Sequence, residues 1–293
     1  MFKILHSSSG SAARTGELQT NHGVLSTPFF MPIATRGAVK LLGSEDLEEL
    51  GASVLLSNTY HLMLRPGTEV IKALGGLHSF MRWNHPILTD SGGYQVFSLT
   101  AWRRLTEEGV WFRSPNGGAE HFLSPERSME IQHLLGSDMV MVFDECTEYP
   151  VSGERAQESM ELTTRWAKRS KEAYQGMGGR GLLFGIAQGS SFPELRKRSA
   201  EELREIGFDG YAIGGLSIGE DRQETYQLVN LLAGIFPVDR PRYFMGAGKP
   251  EEIVEYVRRG MDMFDCVLPT RDGRHGLAYR FTDEARLMIS NSR

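Results

Sequence analysis

The stretch Asp262-Met263-Phe264-Asp265-Cys266-Val267-Leu268-Pro269-Thr270-Arg271-Asp272-Gly273-Arg274-His275-Gly276 sets the terms on which the whole chain is read. It begins as an apolar strand, predicted over Met263–Leu268, with one carboxylate, Asp265, inside it. At Pro269 the strand breaks into a predicted loop that carries Arg271, Arg274 and His275 among glycines. An acid inside an apolar strand costs free energy unless it is paired or used. A cationic, glycine-containing loop directly after it suits an anionic, extended substrate such as a nucleic-acid backbone. Taken alone, the stretch reads equally well as a solvated edge-strand acid beside an ordinary surface loop.

Upstream, the same kind of short apolar run recurs. Strands are predicted over Pro28–Ala34, Ser53–Ser57, Pro86–Thr89, Asp138–Phe143, Leu182–Ala187, Gly210–Ile213 and Arg242–Met245, which makes Met263–Leu268 the eighth. Helical patterns separate most of them: Ser44–Leu50, Pro125–Leu135, Gly153–Tyr174, Phe192–Ile206, Arg222–Ile235 and Pro250–Arg259. Two of these helices open on Ser124-Pro125-Glu126 and Lys249-Pro250-Glu251, where a proline needs no backbone donor and acids favour the first turn. Regular βα alternation implies parallel pairing and an α/β fold, the (β/α)8 TIM barrel, with a doubly wound open sheet as runner-up. Residues 1–25 alternate short apolar pieces with turn signals and read as an N-terminal antiparallel hairpin segment. Val110–Arg113 and His121–Leu123 around Asn116-Gly117-Gly118 read as a hairpin inserted after the third strand. The 293 residues are therefore expected to form a single catalytic domain, 1–293.

Composition narrows the class further. Hydrophobic residues make up 40% of the chain, enough for a large core. The net charge of −5 does not announce a nucleic-acid binder, so such a role must rest on local clusters. No run approaches the roughly 18 apolar residues of a membrane span, and the opening residues carry no apolar signal-peptide core. A cytoplasmic protein with no membrane association is expected. Two cysteines, Cys146 and Cys266, supply neither a disulfide framework nor a metal-spaced pair.

In a barrel of this kind, chemistry sits at the C-terminal ends of the strands. The predicted strand ends carry Asp90-Ser91-Gly92-Gly93-Tyr94, Asp144-Glu145-Cys146, Gln188-Gly189, Gly214-Gly215-Leu216, Met245-Gly246-Ala247-Gly248 and Asp265. Any one of them is explained by a turn or a cap, but polar residues at the same end of most strands point to an active site. Two aspartates on separate strands, Asp90 and Asp265, suit a division between nucleophile and acid/base at a glycosidic carbon. Asp144 and Gln188 offer an acceptor and an amide for a guanine-like edge. The Gly214–Gly215 backbone offers donors with no side chain in the way. Tyr94 and Met245 suit the two faces of a planar ring.

The strings D-S-G-G-Y-Q-V-F-S-L (90–99), F-D-E-C-T-E-Y-P (143–150), G-I-A-Q-G-S (185–190), Y-A-I-G-G-L (211–216), M-G-A-G-K-P (245–250), M-F-D-C-V-L-P-T-R (263–271) and S-N-T-Y-H-L-M-L-R-P-G (57–67) together resemble the bacterial tRNA-guanine transglycosylases. That resemblance runs in order over nearly the whole chain. It implies a (β/α)8 enzyme that exchanges guanine at the wobble position, nucleotide 34, of tRNAs with a G-U-N anticodon for the queuosine precursor preQ1. By the same resemblance, Asp265 matches the nucleophile and Asp90 the general acid/base. Asp144, Gln188 and Gly215 match the readers of the base edge, and Tyr94 and Met245 the stacking pair. Ser91, Gly92, Gly93, Cys146, Gly214, Leu216 and Glu220 complete the base pocket, with Glu220 supporting recognition of the preQ1 aminomethyl group through the Leu216 backbone. Two segments match RNA-contacting loops: Gly246, Ala247, Gly248, Lys249, Pro250, Glu251 and Glu252, and then Thr270, Arg271, Asp272, Gly273 and Arg274. The resemblance implies no redox cofactor. Cys146 and Ile218 favour preQ1 over the larger queuine. Family members form homodimers and carry a structural zinc on a C-x-C-x-x-C…H set, a spacing that would follow Arg293 and is not in this sequence. The expectation is thus either a fragment or a shortened variant that does without zinc, with dimerisation and full activity both in question. Base exchange on another nucleic acid, or a weakly active paralogue, are the alternatives. A sugar hydrolase would leave Asp144, Gln188 and Gly214–Gly215 without a use, and a non-catalytic RNA-binding subunit would not need both aspartates.

Overall fold

The computed structural model describes residues 1–99, 102–115, 117–279 and, as backbone, 286–288. It opens with an antiparallel three-stranded sheet, β1 (Phe2–Ser7), β2 (Arg14–Thr20) and β3 (Gly23–Thr27). Strict burial alternation along β2 lays one face on the barrel and leaves the other in solvent, as period-two side chains require.

Eight parallel strands follow: β4 (Phe29–Met31), β5 (Leu55–Ser57), β6 (Ile87–Thr89), and, beyond an insertion, β10 (Met139–Met141), β11 (Leu182–Ala187), β12 (Gly210–Ile213), β13 (Arg242–Phe244) and β14 (Met263–Asp265). Neighbours pair in chain order, β14 returns to β4, and the Ile33–Leu56 bridge joins the remaining edges. The α/β, (β/α)8 TIM barrel expected from the alternation is the observed architecture. Nearly every strand residue is buried, which is why these strands read as apolar runs rather than alternating ones.

Helices α1 (Ser44–Glu49), α2 (Thr59–Leu64), α3 (Thr68–Ala73), α4 (Leu77–Met81), α5 (Gly93–Leu99), α6 (Pro125–Leu135), α7 (Gly153–Gly176), α8 (Pro193–Ile206), α9 (Arg222–Ile235) and α10 (Pro250–Arg258) fill the connections. The short α2, α3 and α4 lie between β5 and β6, where no helix was expected; each is only one to two turns, too short for a helical period to show. The insertion after β6 has one strand more than a hairpin: β7 (Arg103–Leu105), β8 (Val110–Arg113) and β9 (Glu120–Leu123) form an antiparallel sheet. Asn116 of the expected turn lies outside the described residues.

The predicted final strand is corrected at its end. Pairing stops at Asp265, and Leu268–Arg274 forms a helix, α11, instead of a loop. Pro269 falls in the first helical turn, where its missing N–H breaks no bond, and Arg271 N–H closes on Val267 O at 2.9 Å. A proline read as a strand breaker was a helix starter. Beyond α11, β15 (Leu277–Tyr279) pairs with β16 (Arg286–Met288).

Two buried carboxylates fasten the N-terminal sheet to the bottom of the barrel. Asp262, just before β14, takes a two-pronged contact from Arg14 of β2, Nε to Oδ1 at 2.9 Å and Nη2 to Oδ2 at 2.6 Å. Asp138, just before β10, receives the amides of His22 and Ile87 at 3.0 and 2.9 Å, with His22 Nδ1 and His78 Nε2 at 2.8 and 3.1 Å. The two imidazoles stack at 3.7 Å between centroids. Burial alone would raise the Asp138 pKa, but the bonds from His78, Ile87 and His22 outweigh it and hold the carboxyl below its ordinary value. Its stabilising contribution is therefore complete above the ordinary carboxylate range and is lost as pH falls through the depressed folded value. Asp138→Asn is expected to lower stability by about 2–4 kcal/mol at pH 7. Urea unfolding of both proteins measures the gap, which should shrink near pH 3.

Candidate active site

At the C-terminal end of the barrel, a cavity of about 390 Å³ is lined by residues at the ends of all eight strands. Three carboxylates reach it: Asp90 after β6, Asp144 after β10 and Asp265 at the end of β14. All three are buried, and burial is the largest influence on each, raising its pKa.

Asp90 carries the fullest set of donors. Thr59 N–H and Gly92 N–H donate to Oδ1 at 2.9 and 3.2 Å, while Gln95 Nε2 donates to Oδ2 at 2.9 Å and Asn58 Nδ2 donates to the same oxygen. Burial lifts its pKa to about 6 in spite of these four bonds. A carboxyl so placed is protonated or charged according to small changes near neutral pH, as an acid/base group requires.

Asp265 is held differently. Its Oδ1 accepts Tyr243 O–H at 2.5 Å and Gly246 N–H at 3.0 Å. Among the described residues nothing donates to Oδ2, which leaves one oxygen of this carboxylate to act on a substrate. Burial pushes the Tyr243 hydroxyl well above its ordinary pKa, and the adjacent Asp265 charge adds to the effect, so Tyr243 stays a donor.

Asp144 and Gln188 form one unit. Gln188 Nε2 donates to Asp144 Oδ2 at 2.8 Å, and Ser91 Oγ donates to Oδ1 at 2.9 Å. Helix α7 fixes this segment from behind: Thr163 Oγ1 accepts Glu145 N–H at 3.0 Å, and Arg155 pairs with the buried Glu145 carboxylate. Gly215 has φ +64°, and a Cβ there would lie 2.4 Å from Gln188 Oε1. Gly93 is confined likewise, its missing Cβ 2.4 Å from Asp144 O. These glycines let the turns close onto the polar side chains.

The expected site residues Asp90, Ser91, Tyr94, Asp144, Cys146, Gln188, Gly214, Gly215, Leu216, Met245, Gly246 and Asp265 all line this cavity. Gly92 and Gly93 stand behind it. Glu220 does not reach it: its carboxylate accepts the amides of Ser217 and Ile218 and the Thr225 hydroxyl, holding the turn that carries Leu216. Burial first, and then the Asp144 charge, push the Cys146 thiol up to about 12, so it remains a neutral wall of the pocket. Of the expected RNA-facing residues, Ala247 and Gly248 are buried. Lys249, Pro250, Glu251 and Glu252 form the cap and first turn of α10, where Glu252 pairs with Arg222 at 2.6 Å. Thr270, Arg271, Asp272, Gly273 and Arg274 lie on α11 near the cavity mouth at Val267.

Sequence reading assigned no role to Asn58, Thr59, Gln95 or Tyr243. Asn58 follows β5 directly and was open to the same strand-end argument, and Gln95 is one turn into the Asp90 motif. Tyr243 sits inside an apolar strand and gave no signal. A three-cysteine zinc set does not fit the residues present: Cys146 and Cys266 are free and both line the cavity. The His22–His78–Asp138 group is at the opposite end, with each carboxylate oxygen already taking two donors.

A sequence model of the family described as Queuine tRNA-ribosyltransferase matches residues 8–293. Proteins named Queuine tRNA-ribosyltransferase are similar along most of the chain. The one from Psychrobacter sp. (strain PRwf-1) is 57% identical over 266 residues, 91% of this chain and 70% of its own. That from Thioalkalivibrio sulfidiphilus is 57% identical over 282 residues, 96% of this chain and 75% of its own. The Acinetobacter baumannii (strain SDF) protein is 56% identical over the same length, 74% of its own chain. With this similarity added to a barrel whose rim gathers two separately held aspartates and a base-sized cavity, the chain belongs to the queuine tRNA-ribosyltransferase family of tRNA-modifying transferases.

Proposed function

We propose that this enzyme exchanges guanine at the wobble position of tRNAs with a G-U-N anticodon for preQ1, through a covalent ribosyl-enzyme. The observation that carries the reading is the difference between two buried aspartates facing one cavity: Asp265 has an undonated oxygen, and Asp90 has a pKa near 6. The target nucleotide leaves the anticodon stack to enter the pocket. Asp265 Oδ2 attacks C1′ of the ribose, the C1′–N9 bond breaks, and its electron pair leaves with guanine. Asp90 gives that base its proton. In the second half, preQ1 enters, Asp90 takes the N9 proton, N9 attacks C1′, and Asp265 is released. One glycosidic bond replaces another, so the exchange needs no redox cofactor and no nucleoside triphosphate.

Asp144 and Gln188 read the donor and acceptor edges of the base, the Gly215 amide its carbonyl, with Tyr94 and Met245 on its faces. Cys146 and Ile218 both wall the cavity and limit the space around the 7-substituent, which favours the small aminomethyl group of preQ1 over queuine. Among the described residues Arg271 and Arg274 pair with no carboxylate, so α11 offers the RNA two uncommitted cations near the mouth. The family's homodimer and its cytoplasmic setting are part of this reading.

Incubation with guanine-34 tRNA and a competing base analogue should leave a covalent RNA–protein adduct on a denaturing gel. An Asp265→Asn variant that still formed the adduct would sink the proposal. Guanine release in a single turnover needs protonated Asp90, so its rate is expected to fall about tenfold per pH unit above a pH of about 6. Asp90→Asn should lose 10²- to 10⁴-fold in rate, as an order of magnitude, and lose that pH dependence. Side-by-side incorporation assays test the base preference: preQ1 is expected to enter faster, and equal incorporation of queuine would remove the argument from Cys146 and Ile218.

A further inference from the structure

Arg196 of α8 is fully buried, and among the described residues no carboxylate pairs with it. Its guanidinium is satisfied by backbone carbonyls alone. Nε donates to Ser190 O at 2.7 Å, Nη1 to Ala187 O at 2.8 Å and Gly214 O at 2.7 Å, and Nη2 to Gly215 O at 3.1 Å. These carbonyls belong to the last residue of β11 and to the turns after β11 and β12, which carry Gln188 and Gly214–Gly215. Burying a cation with no directly paired carboxylate is costly, the nearby Glu220 charge offsets that cost only in part, and a neutral side chain would tie two turns together at lower cost. The charge therefore invites a role beyond packing.

The peptide geometry supplies one. The Gly214 carbonyl belongs to the same peptide unit as the Gly215 N–H, and the Gly215 carbonyl to the same unit as the Leu216 N–H. Both residues line the cavity, and neither N–H donates to a protein acceptor among the described residues. A cation bonded to the oxygen of a peptide draws electron density toward that oxygen and makes the N–H at the other end a stronger donor, because linked hydrogen bonds polarise one another. It also fixes the peptide plane, and so the direction of the N–H. Burial lowers the Arg196 pKa only to about 10, which leaves the side chain charged at neutral pH.

We propose that Arg196 is a positioning residue for the departing base. Acting through the two peptides at Gly214–Leu216, it strengthens and aims the amide donors that receive the negative charge developing on the guanine carbonyl oxygen. This rests on the base-exchange reading above. As the C1′–N9 bond breaks, its electron pair spreads from N9 to the carbonyl oxygen until Asp90 delivers the proton. Donors already polarised toward that oxygen favour the charged transition state over the neutral bound base, which raises the rate of the chemical step more than the affinity.

The test compares two leaving bases on the same tRNA, guanine and the more acidic 8-azaguanine, which keeps the carbonyl oxygen but needs less help to carry charge. Single-turnover release is measured for wild type, Arg196→Met and Arg196→Lys, with tRNA affinity measured separately. Arg196→Met is expected to slow guanine release about 10²-fold, with tRNA affinity within about threefold of wild type. The loss for 8-azaguanine should be at least several-fold smaller. Arg196→Lys, which keeps the charge without the fork, should fall between. Equal losses for the two bases mean that Arg196 only holds the turns, and overturn the proposal. So does a wild-type rate in Arg196→Met. If Arg196→Met does not fold, the same comparison on Arg196→Lys decides the matter. A wild-type enzyme that releases neither base defeats the base-exchange reading itself, a result separable from any failure of the variants.

Discussion

Three carboxylates share one buried cavity, and the cost of taking them out of water governs the layout of the rim. Burial raises the pKa of Asp90, Asp144 and Asp265 alike. What differs is the set of donors around each. Asp144 accepts from Gln188 and Ser91, one on each oxygen, and is fixed in place. Asp90 is crowded with donors and still titrates near neutrality. Asp265 is supported on one oxygen only. Similar burial thus leaves three carboxylates with three different sets of committed oxygens through neighbours alone.

The opposite end of the barrel buries charge for another purpose. Asp262 and Asp265 are three residues apart and lie at opposite ends of β14. The first is closed off by Arg14 and by the Arg242 amide at 2.7 Å, while the second faces the cavity. Asp138 is closed off by four donors. Carboxylates at the bottom have both oxygens committed and fasten the N-terminal sheet; Asp265 at the top does not. The division follows the general rule that barrel stability lies at the strand starts and chemistry at the strand ends. Arg196 links the two uses of charge, being as buried as a structural group and bonded to the backbone of the rim.

Much of this was legible in the chain before any coordinates. The βα alternation of apolar runs gave the barrel, because strands covered on both faces are continuous in sequence and their connections must be long. Placing polar residues after those runs found Asp90, Asp144, Gln188, Gly214–Gly215 and Asp265, because a barrel sends all its strand ends to one rim. The same logic reached Cys146 and Met245. It missed Asn58, which was passed over although it follows a strand, and Tyr243, which looks like any inward-facing aromatic residue.

Local sequence determined the order of elements and the set of groups at the rim, since both depend on periodicity and on chain direction. Tertiary structure decided everything that needed a partner distant in sequence. Arg14 meets Asp262 across 248 positions, and Arg196 reaches carbonyls on two successive turns. Only the folded chain showed that α11 is a helix and not a loop, that Glu220 braces a turn and does not touch the cavity, and which oxygen of Asp265 is left without a donor. Burial and hydrogen-bond geometry set those outcomes, and both arise only when strands far apart in the chain close into a ring.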